Sequence, residues 1–149
     1  MNVMVEGMMQ ILLVDDSPTD VLLTREALAN GTMLSALHVA DNGVEAMEFL
    51  RRVGKYRAAP WPDLILLDLN MPCKNGQEVL VEIKSDESFK AIPVVILTTS
   101  KTGTDVIEAY GHHANCYITK PVDFDAFAEV VLSIQNFWFS VVTLPPKKL

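Results

Sequence analysis

The sequence predicts a doubly wound α/β fold, with a five-stranded parallel sheet and helices on both faces of that sheet. Short apolar runs alternate along the chain with segments in which apolar residues recur at helical spacing. The apolar runs are continuous rather than alternating, which is typical of strands covered on both faces. This alternation implies parallel strands joined by right-handed crossovers. At 149 residues, a single domain accounts for the chain.

Four runs are strong strand candidates and a fifth is weaker. The strong candidates are Ile11–Val14, Leu64–Leu67, Val94–Leu97 and Cys116–Ile118, and the weaker one is Ala36–Ala40. For five strands of this class we expect the flavodoxin-like order 2-1-3-4-5. Ligands then bind beyond the carboxyl ends of the strands, at the switch point beside the first strand.

The segments between and after these runs predict five helices. Their helically spaced residues, in chain order, are Val21, Leu22, Arg25 and Leu28; Val44, Met47 and Leu50; Val79, Leu80 and Ile83; Val106, Ile107 and Tyr110; and Phe124, Phe127, Val130, Val131 and Ile134. Ser17 before Pro18 predicts the start of the first helix, since serine is a good N-cap and proline is favoured at the first helical position. A further start signal lies at Asn75–Gly76.

These elements place one domain at residues 10–135, with an N-terminal extension over 1–9 and a C-terminal extension over 136–149. An autonomous domain needs roughly 40–60 residues, so neither extension provides a separate output domain. We therefore expect a stand-alone module that signals through its own surface.

Composition and charge exclude several classes of function. Twelve Lys and Arg against nineteen Asp and Glu give a net charge of −7, which disfavours binding to nucleic acid or to an anionic membrane. Cys73 and Cys116 have no zinc-like spacing, and we expect reduced thiols. Residues 1–10 have no basic region and carry Glu6 within their apolar stretch, so we expect no signal peptide. The uncharged stretch 130–146 is shorter than the about 20 apolar residues of a spanning helix. A cytoplasmic protein is the expectation.

Polar residues follow the predicted strands where each strand ends. Asp15–Asp16 follow the first strand, Asp68 the third, Thr98–Thr99 the fourth and Lys120–Pro121 the fifth. Because parallel strands end at the same edge of the sheet, these residues should converge. Taken singly, each has an ordinary explanation: helix capping accounts for Ser17, Asp20 and one acid, Thr98 is a β-branched strand residue, and Lys120 could lie on the surface. Together, those explanations predict scattered polar residues rather than one cluster.

The convergence indicates phosphoryl chemistry with a magnesium ion. Two like charges about 4 Å apart cost roughly 4 kcal/mol at an effective dielectric near 20, so three carboxylates need a cation. Ligands that are all oxygen favour a hard ion such as Mg²⁺. With the metal and Lys120 neutralising a phosphoryl group, Asp68 could attack it in line. No glycine-rich turn follows the first strand and no G-x-S-x-G occurs, which excludes a dinucleotide fingerprint, a P-loop and an α/β-hydrolase elbow.

The sequence is similar to the receiver domain of two-component response regulators from Gln10 to about Gln135. The motifs that carry the resemblance are ILLVDD at Ile11–Asp16, LILLDLNMP at Leu64–Pro72, VVILTTS at Val94–Ser100 and YITKP at Tyr117–Pro121. The resemblance implies that Asp68 is the phosphorylated aspartate. It also implies that Asp16 ligates Mg²⁺ directly and Asp15 mainly through water. The backbone carbonyl of Asn70 would complete the protein ligands.

The same resemblance implies a set of switch residues. Lys120 would pair with the phosphoryl group, and Thr98 would move its hydroxyl towards it. Tyr117 would turn inward as Thr98 moves. The peptide bond before Pro121 is expected to be cis, a form that proline permits most readily.

A narrower resemblance suggests the partners. PWPDLILLDLNMP, NCYITKPVD and FWFSVVTLP are similar to segments of small response regulators that pair with cyanobacterial phytochrome histidine kinases. The phosphodonor would then be a phosphohistidine on a light-sensing kinase. Phe137–Trp138–Phe139 either fold back on the last helix or form an apolar patch. We favour a homodimer through the fourth helix, fifth strand, last helix and C-terminal extension, since three adjacent aromatics cannot all face one core.

Two other functions remain as alternatives to a phosphorylated signalling module. A Mg²⁺-dependent phosphohydrolase also forms an aspartyl-phosphate, but its second acid would fall at Asn70 and no cap segment encloses a substrate. A phosphorylation-independent binding module would keep the fold without using Asp68. We expect a phosphoacceptor rather than a turnover enzyme.

Overall fold

The structure, a computed structural model, describes residues 8–146. Residues 1–7 of the expected N-terminal extension and residues 147–149 of the C-terminal extension lie outside the described residues. The strands are β1 (Met9–Val14), β2 (Ser35–Ala40), β3 (Leu64–Leu67), β4 (Val94–Thr98) and β5 (Cys116–Thr119). They form one five-stranded sheet in the order β2-β1-β3-β4-β5, with every neighbouring pair parallel. The predicted fold class and strand order are confirmed.

Five helices connect and follow the strands. They are α1 (Pro18–Ala29), α2 (Gly43–Arg51), α3 (Gly76–Ser85), α4 (Gly103–Gly111) and α5 (Phe124–Asn136). A 3₁₀ turn at Gly54–Tyr56 follows α2, and a π-helical turn at Phe137–Val141 continues α5. The side chain of the N-cap residue of every one of the five α-helices accepts a hydrogen bond from a first-turn N–H; the caps are Ser17, Asn42, Asn75, Thr102 and Asp123.

The sheet separates two apolar cores because alternate strand residues point to opposite faces. One core joins Leu12, Val14, Ile65, Leu67 and Ile96 to buried residues of α2 and α3. The other core joins Ile11, Leu13, Leu64, Leu66 and Leu97 to buried residues of α1 and α5. The two cores pack against β1 and β3, whose carboxyl ends lie side by side in the sheet.

The edge strands differ from the expectation of strands buried on both faces. That expectation holds for β3 and β4, whose residues are all buried, and nearly so for β1. Most residues of β2 and β5 are only half-buried. An edge strand has a neighbour on one side only, so its flank stays open to solvent.

Several residues at helical spacing are also more exposed than the pattern predicted. Leu22 of α1, Val44 of α2 and Phe124 of α5 lie largely in solvent. In α4 both Ile107 and Tyr110 are exposed, and Ala109 is the buried residue instead. The periodicity identified each helix correctly but did not identify which side of α4 faces the sheet.

Within residues 8–146, no helix is long and apolar enough to cross a membrane. Both cysteines are unpaired: Cys73 is exposed in the loop after β3, and Cys116 is half-buried in β5.

Candidate functional site

Backbone hydrogen bonds between strands fix the residues that follow β1, β3 and β5. The N–H of Asp15 donates to the Ala40 carbonyl at 3.1 Å, and the N–H of Asp68 donates to the Val14 carbonyl at 3.0 Å. The N–H of Lys120 donates to the Thr98 carbonyl at 2.7 Å. Each site residue therefore continues the sheet by one bond, which places its side chain at the carboxyl edge.

Three carboxylates meet at this edge. Asp15, Asp16 and Asp68 each offer an oxygen, and these oxygens all lie within 4.8 Å of one another. Asp15 and Asp68 are buried, whereas Asp16 is exposed. Because the donors are all oxygen, the cluster has the chemistry of a site for a hard divalent cation, and its exposed member leaves a path from solvent.

Lys120 lies in the middle of the acidic residues. Its Nζ donates to Asp15 Oδ2 at 2.8 Å and to Asp68 Oδ2 at 3.0 Å. It also donates to Asp20 Oδ2 at 2.7 Å. The lysine side chain is 4% exposed, so these carboxylates rather than water solvate the ammonium.

Burial and ion pairing act in opposite directions on this cluster. Burial raises the pKa of the Asp15 carboxyl above its ordinary value, although Lys120 acts to lower it. Burial acts to lower the pKa of Lys120, but its bonds to Asp15 and Asp20 outweigh that effect and the pKa is raised. Lys120 therefore stays charged, and this single ammonium is shared by three aspartates.

Asp20 is the site residue that sequence reasoning missed, since it was explained as part of a helix cap. It does lie in the first turn of α1, and its N–H donates to Ser17 Oγ at 3.2 Å. Its side chain nevertheless points to Lys120, 100 residues further along the chain. The available signal was its position: α1 begins directly after Asp15–Asp16, so its first turn faces the same edge of the sheet.

Two backbone contacts position Asp68, one from the Asn70 N–H and one from the close approach of Gly76. Asp68 Oδ1 accepts a hydrogen bond from the Asn70 N–H at 3.2 Å, while Oδ2 faces Lys120. Gly76, the first residue of α3, packs so closely that a Cβ there would overlap the Asp68 carbonyl oxygen. The N–H of Gly76 also donates to the Leu69 carbonyl at 2.9 Å. Asn70 itself is exposed, and its role as a carbonyl ligand stays a prediction.

Two of the predicted switch residues lie on neighbouring strands, Thr98 at the end of β4 and Tyr117 within β5. Thr98 is fully buried, and its Oγ1 faces the Ser100 N–H at 3.4 Å. Tyr117 is half-buried against the core on the α2–α3 side, and its hydroxyl donates to the Ser100 carbonyl at 2.8 Å. Burial raises the pKa of Tyr117, so that hydroxyl keeps its proton. Ser100 Oγ in turn donates to Asp105 of α4.

The expected cis bond before Pro121 is wrong for this structure. No peptide bond among residues 8–146 is cis, so the Lys120–Pro121 bond is trans. An X–Pro bond intrinsically prefers trans by about 0.5–1 kcal/mol. The Lys120 ammonium reaches all its carboxylates with the bond in that form.

The aromatic residues after α5 divide between the two outcomes considered above. Trp138 and Phe139 pack against the core on the α1–α5 side, while Phe137 is 50% exposed. Phe137 and Trp138 contact each other edge to face, with ring centroids 5.5 Å apart. An open groove of about 480 Å³ lies between β5, α5 and these two rings. Two of the three aromatics therefore pack internally and Phe137 stays exposed, in keeping with the expectation that three adjacent aromatics cannot all face one core.

The parallel sheet and the acidic cluster at its carboxyl edge define the chain as a receiver-type α/β domain, and the family comparison agrees. The family model of the response regulator receiver domain matches residues 11–132. The chain belongs to the response regulator receiver family.

Individual relatives are similar over almost the whole chain. Response regulator Rcp1 of Synechocystis sp. is 47% identical over 135 residues, which cover 91% of this chain and 92% of Rcp1. Protein PilH of Pseudomonas aeruginosa is 32% identical over 128 residues, covering 85% of this chain and 98% of PilH.

Solved structures match the fold closely. The phosphorylated cyanobacterial phytochrome response regulator RcpA superposes with a TM-score of 0.90 at 47% identity, covering 93% of this chain and 99% of RcpA. The Mn²⁺-bound form of Rcp1 superposes with a TM-score of 0.88 at 46% identity, over 93% and 99% of the two chains. A divalent cation in a relative this similar agrees with the oxygen-only cluster of Asp15, Asp16 and Asp68.

Proposed function

We propose that this chain is a phosphorylation-switched response regulator that accepts a phosphoryl group from a histidine kinase on Asp68. The observation that carries the proposal is the meeting of Asp68 with Asp15, Asp16 and Lys120 at one edge of the sheet. Asp68 is the buried carboxylate of this group that follows the central strand β3. The chain acts as a phosphoacceptor, not as a turnover enzyme.

The proposed step exchanges one bond to phosphorus for another. An oxygen of Asp68 attacks the phosphorus, and the bond between phosphorus and the donor's imidazole nitrogen breaks. The nitrogen keeps the electron pair and takes a proton, and the phosphoryl group becomes bonded to Asp68 as an acyl phosphate. Mg²⁺, held by Asp15, Asp16, Asp68 and the Asn70 carbonyl, would supply positive charge to the phosphoryl oxygens.

Lys120 and Thr98 have separate roles in this proposal. Lys120 contacts Asp68 already, and its ammonium is suited to pair with a phosphoryl oxygen there. Thr98 lies beside the same edge and would reorient its hydroxyl towards the new charge, with Tyr117 following. We expect Lys120→Ala to uncouple this rearrangement from phosphorylation more than it prevents phosphotransfer.

Exposed apolar side chains on the segments that Asp20 and Lys120 join support docking of a kinase partner there. Leu22 of α1 is 54% exposed, Val122 is 98% exposed and Phe124 is 64% exposed. Leu22 follows Asp20 by two residues and Val122 follows Lys120 by two residues. Exposed apolar side chains around a reactive group are typical of a transient protein interface.

We propose a phytochrome-type light-sensing kinase as the donor, and the cytoplasm as the location. The support is the similarity to the cyanobacterial phytochrome response regulator RcpA over 93% of this chain. A phosphotransfer profile against the histidine kinases of the host tests this assignment. Transfer from a kinase of another class, faster than from any phytochrome kinase, would overturn it.

The main test is direct labelling of the acceptor. Acetyl phosphate with Mg²⁺ should produce an acid-stable, base-labile phosphoryl adduct on Asp68, located by mass spectrometry of the peptides. Chelation of the metal should abolish it. Asp68→Asn should abolish it as well, since the amide is not a nucleophile of this kind.

Asp41→Asn is the matched control for that test. Asp41 also follows a strand at the same edge, β2, but lies outside the acidic cluster and is exposed. Labelling should survive this change. An adduct elsewhere, or none, contradicts the proposal; sustained hydrolysis of a phosphate ester by Asp68→Asn would favour a phosphohydrolase, and partner binding unaffected by Asp68→Asn would favour a phosphorylation-independent module.

We also propose that the chain forms a homodimer through α4, β5, α5 and the segment after α5. Exposed apolar side chains on this surface support it: Ile107, Tyr110 and Phe137 are 75%, 49% and 50% exposed. Light scattering should give a dimer mass for the wild type and a lower mass for Phe137→Ala. Leu34→Ala, which removes a 51% exposed side chain elsewhere, is the control. Equal masses for wild type and Phe137→Ala would exclude Phe137 from the interface.

A further inference from the structure

Lys120 has one carboxylate partner outside the cation cluster, and that partner is Asp20. Asp20 Oδ2 lies 2.7 Å from Lys120 Nζ, at least as close as either Asp15 or Asp68. Asp20 is not part of the group of carboxylates that can share one cation, which is Asp15, Asp16 and Asp68. Of the three partners of Lys120, Asp20 is therefore the one that does not belong to the cation cluster.

The three contacts exhaust the donors of Lys120. An ammonium group has three N–H donors, and Asp15, Asp20 and Asp68 accept one each. A phosphoryl oxygen on Asp68 can bind Lys120 only if one of these contacts is released. Asp20 is the partner whose release costs least, because its side chain is 24% exposed and water can solvate the freed carboxylate.

From this geometry we propose that Asp20 is a positioning residue that holds Lys120 in its resting place and resists its transfer to the phosphoryl group. The inference rests on the phosphoacceptor role proposed for Asp68. Asp20 acts through Lys120, since its carboxylate bonds to the lysine and is not one of the three that can share a cation. Its charge sets how readily Lys120 moves.

Removing that charge should change the binding of cations and anions in opposite directions. In Asp20→Asn, Lys120 pairs more strongly with Asp15 and Asp68, so these two carboxylates are less available to a cation. The site also loses one nearby negative charge. Both effects weaken the binding of a divalent cation. The same change frees Lys120 for a phosphoryl-like anion and strengthens anion binding. A single charge at this distance changes each affinity by about three- to tenfold. A purely structural disturbance of the site would weaken both.

The experiment measures the two affinities separately in the full chain. Mg²⁺ is titrated alone, and beryllofluoride is then titrated at saturating Mg²⁺ as a mimic of the phosphoryl group. Asp20→Asn should bind Mg²⁺ about three- to tenfold more weakly and beryllofluoride about three- to tenfold more tightly. Asp20→Ala should change both affinities further in the same directions, since it removes the remaining hydrogen bond.

A third readout needs neither metal nor anion. In metal-free protein, the ¹⁵Nζ–H₃ signal of Lys120 should be observable in the wild type, because three carboxylates protect its protons from exchange with water. In Asp20→Asn the signal should broaden or disappear. Asp125→Asn is the matched control: it removes one exposed carboxylate from the first turn of α5, with the same loss of charge at a helix N-terminus.

The outcomes separate the two proposals. Failure of the wild type to bind beryllofluoride and to be labelled on Asp68 overturns the proposed function, and the role of Asp20 with it. A wild type that does both, with Asp20→Asn unchanged, overturns the role of Asp20 alone. Equal weakening of both affinities, or the same shifts in Asp125→Asn, also overturns it.

Discussion

Helices α3 and α4 are alike in length and in how they begin, yet they are attached to the sheet very differently. Each starts at a glycine after a capping side chain, Asn75 for α3 and Thr102 for α4. In α3, four of ten residues are buried. In α4, one of nine is buried, and that residue is an alanine.

Polar contacts increase the difference. At the far end of α3, Lys84 Nζ donates to three oxygens: the carbonyls of Lys90 and Ile92, and Asn115 Oδ1. The side chain that bridges α3 to α4 is Gln77, which donates to the Asp105 carbonyl at 3.2 Å and contacts His112 Nδ1 at 3.0 Å. Helix α3 is anchored by buried apolar side chains and by polar contacts, whereas α4 is anchored mainly by polar contacts.

This difference separates the helix next to Asp68, which is held firmly, from the helix that can move. α3 begins at Gly76, which packs against the backbone of Asp68, so the helix beside the proposed phosphoacceptor is the firmly anchored one. α4 follows Thr98 and Ser100, the segment that the proposed phosphorylation of Asp68 would affect first. Because displacing a helix costs free energy in proportion to the apolar area it exposes, α4 can move at little cost.

The largest effect expected is on the free energy of unfolding when one large apolar side chain of each helix is shortened to alanine. Leu80→Ala in α3 should lower it by about 2–5 kcal/mol, because Leu80 is fully buried and its removal leaves a cavity. Ile107→Ala in α4 should change it by less than about 0.5 kcal/mol, because Ile107 is 75% exposed. Urea denaturation of both unphosphorylated variants measures this. Similar losses in the two would contradict the comparison.

A smaller effect is expected from removing the helix caps. Asn75→Ala and Thr102→Ala each remove a side-chain acceptor for a first-turn N–H, a loss of about 1 kcal/mol. In α3 the loss should lower the global free energy of unfolding. In α4 it should instead speed amide exchange within Gly103–Gly111, because a helix with one buried residue opens by itself. Hydrogen exchange with urea denaturation distinguishes the two, and a global loss for Thr102→Ala would contradict it.

The anchor at Lys84 predicts a pH dependence of stability. Burial lowers the pKa of Lys84 from its ordinary 10.5 to about 8, since its three partners are neutral oxygens. Between these values the unfolded chain binds more protons than the folded protein, so the free energy of unfolding gains from Lys84 as pH rises. Because Lys84 is only partly buried and solvent screens its charge, the gain is on the order of 1 kcal/mol.

Lys84→Met should lose that gain, and urea denaturation at several pH values between 8 and 10.5 checks it. Lys101→Met, which removes an exposed lysine, is the control and should keep the slope of the wild type. An unchanged slope in Lys84→Met would show that this lysine does not titrate differently in the folded protein.

The smallest effect is expected at the bridge between the helices. Gln77→Ala removes two hydrogen-bond contacts to α4 and its C-cap His112. Because Gln77 is half-buried and water can replace both contacts, the net loss should be about 0.5 kcal/mol. Amides of α4 should exchange about twofold faster, while those of α3 serve as the internal control. Equal acceleration in both helices would mean that Gln77 stabilises α3 rather than connecting the two.

The strands and the site edge could be predicted from the sequence because their signals are local. Continuous apolar runs identified β1, β3 and β4, and the polar residue after each run followed from the direction of parallel strands. The exposed side of α4 could not be predicted, because Val106, Ile107 and Tyr110 have helical spacing without facing a core. Their spacing records a helix, and only the packing of the sheet decides which residue is buried.

Asp20 and Pro121 show a different limit of the sequence. Asp20 satisfies the local pattern of a helix N-terminus, which hid a contact to a lysine 100 residues away. For Pro121, the resemblance implied a cis bond that this structure does not contain. A local sequence pattern or a family resemblance describes only part of a residue's surroundings. Contacts to residues far away in the sequence become visible only in the structure.

The close packing of Gly76 against Asp68 limits how this sequence can evolve. Any residue with a Cβ at position 76 would push against the Asp68 carbonyl and the Leu69 backbone. A substitution at the start of α3 would therefore displace the backbone that carries the Asp68 carboxylate, although Gly76 itself has no side chain. Among descendants of this sequence, variation at position 76 should be eliminated as strictly as variation at Asp68.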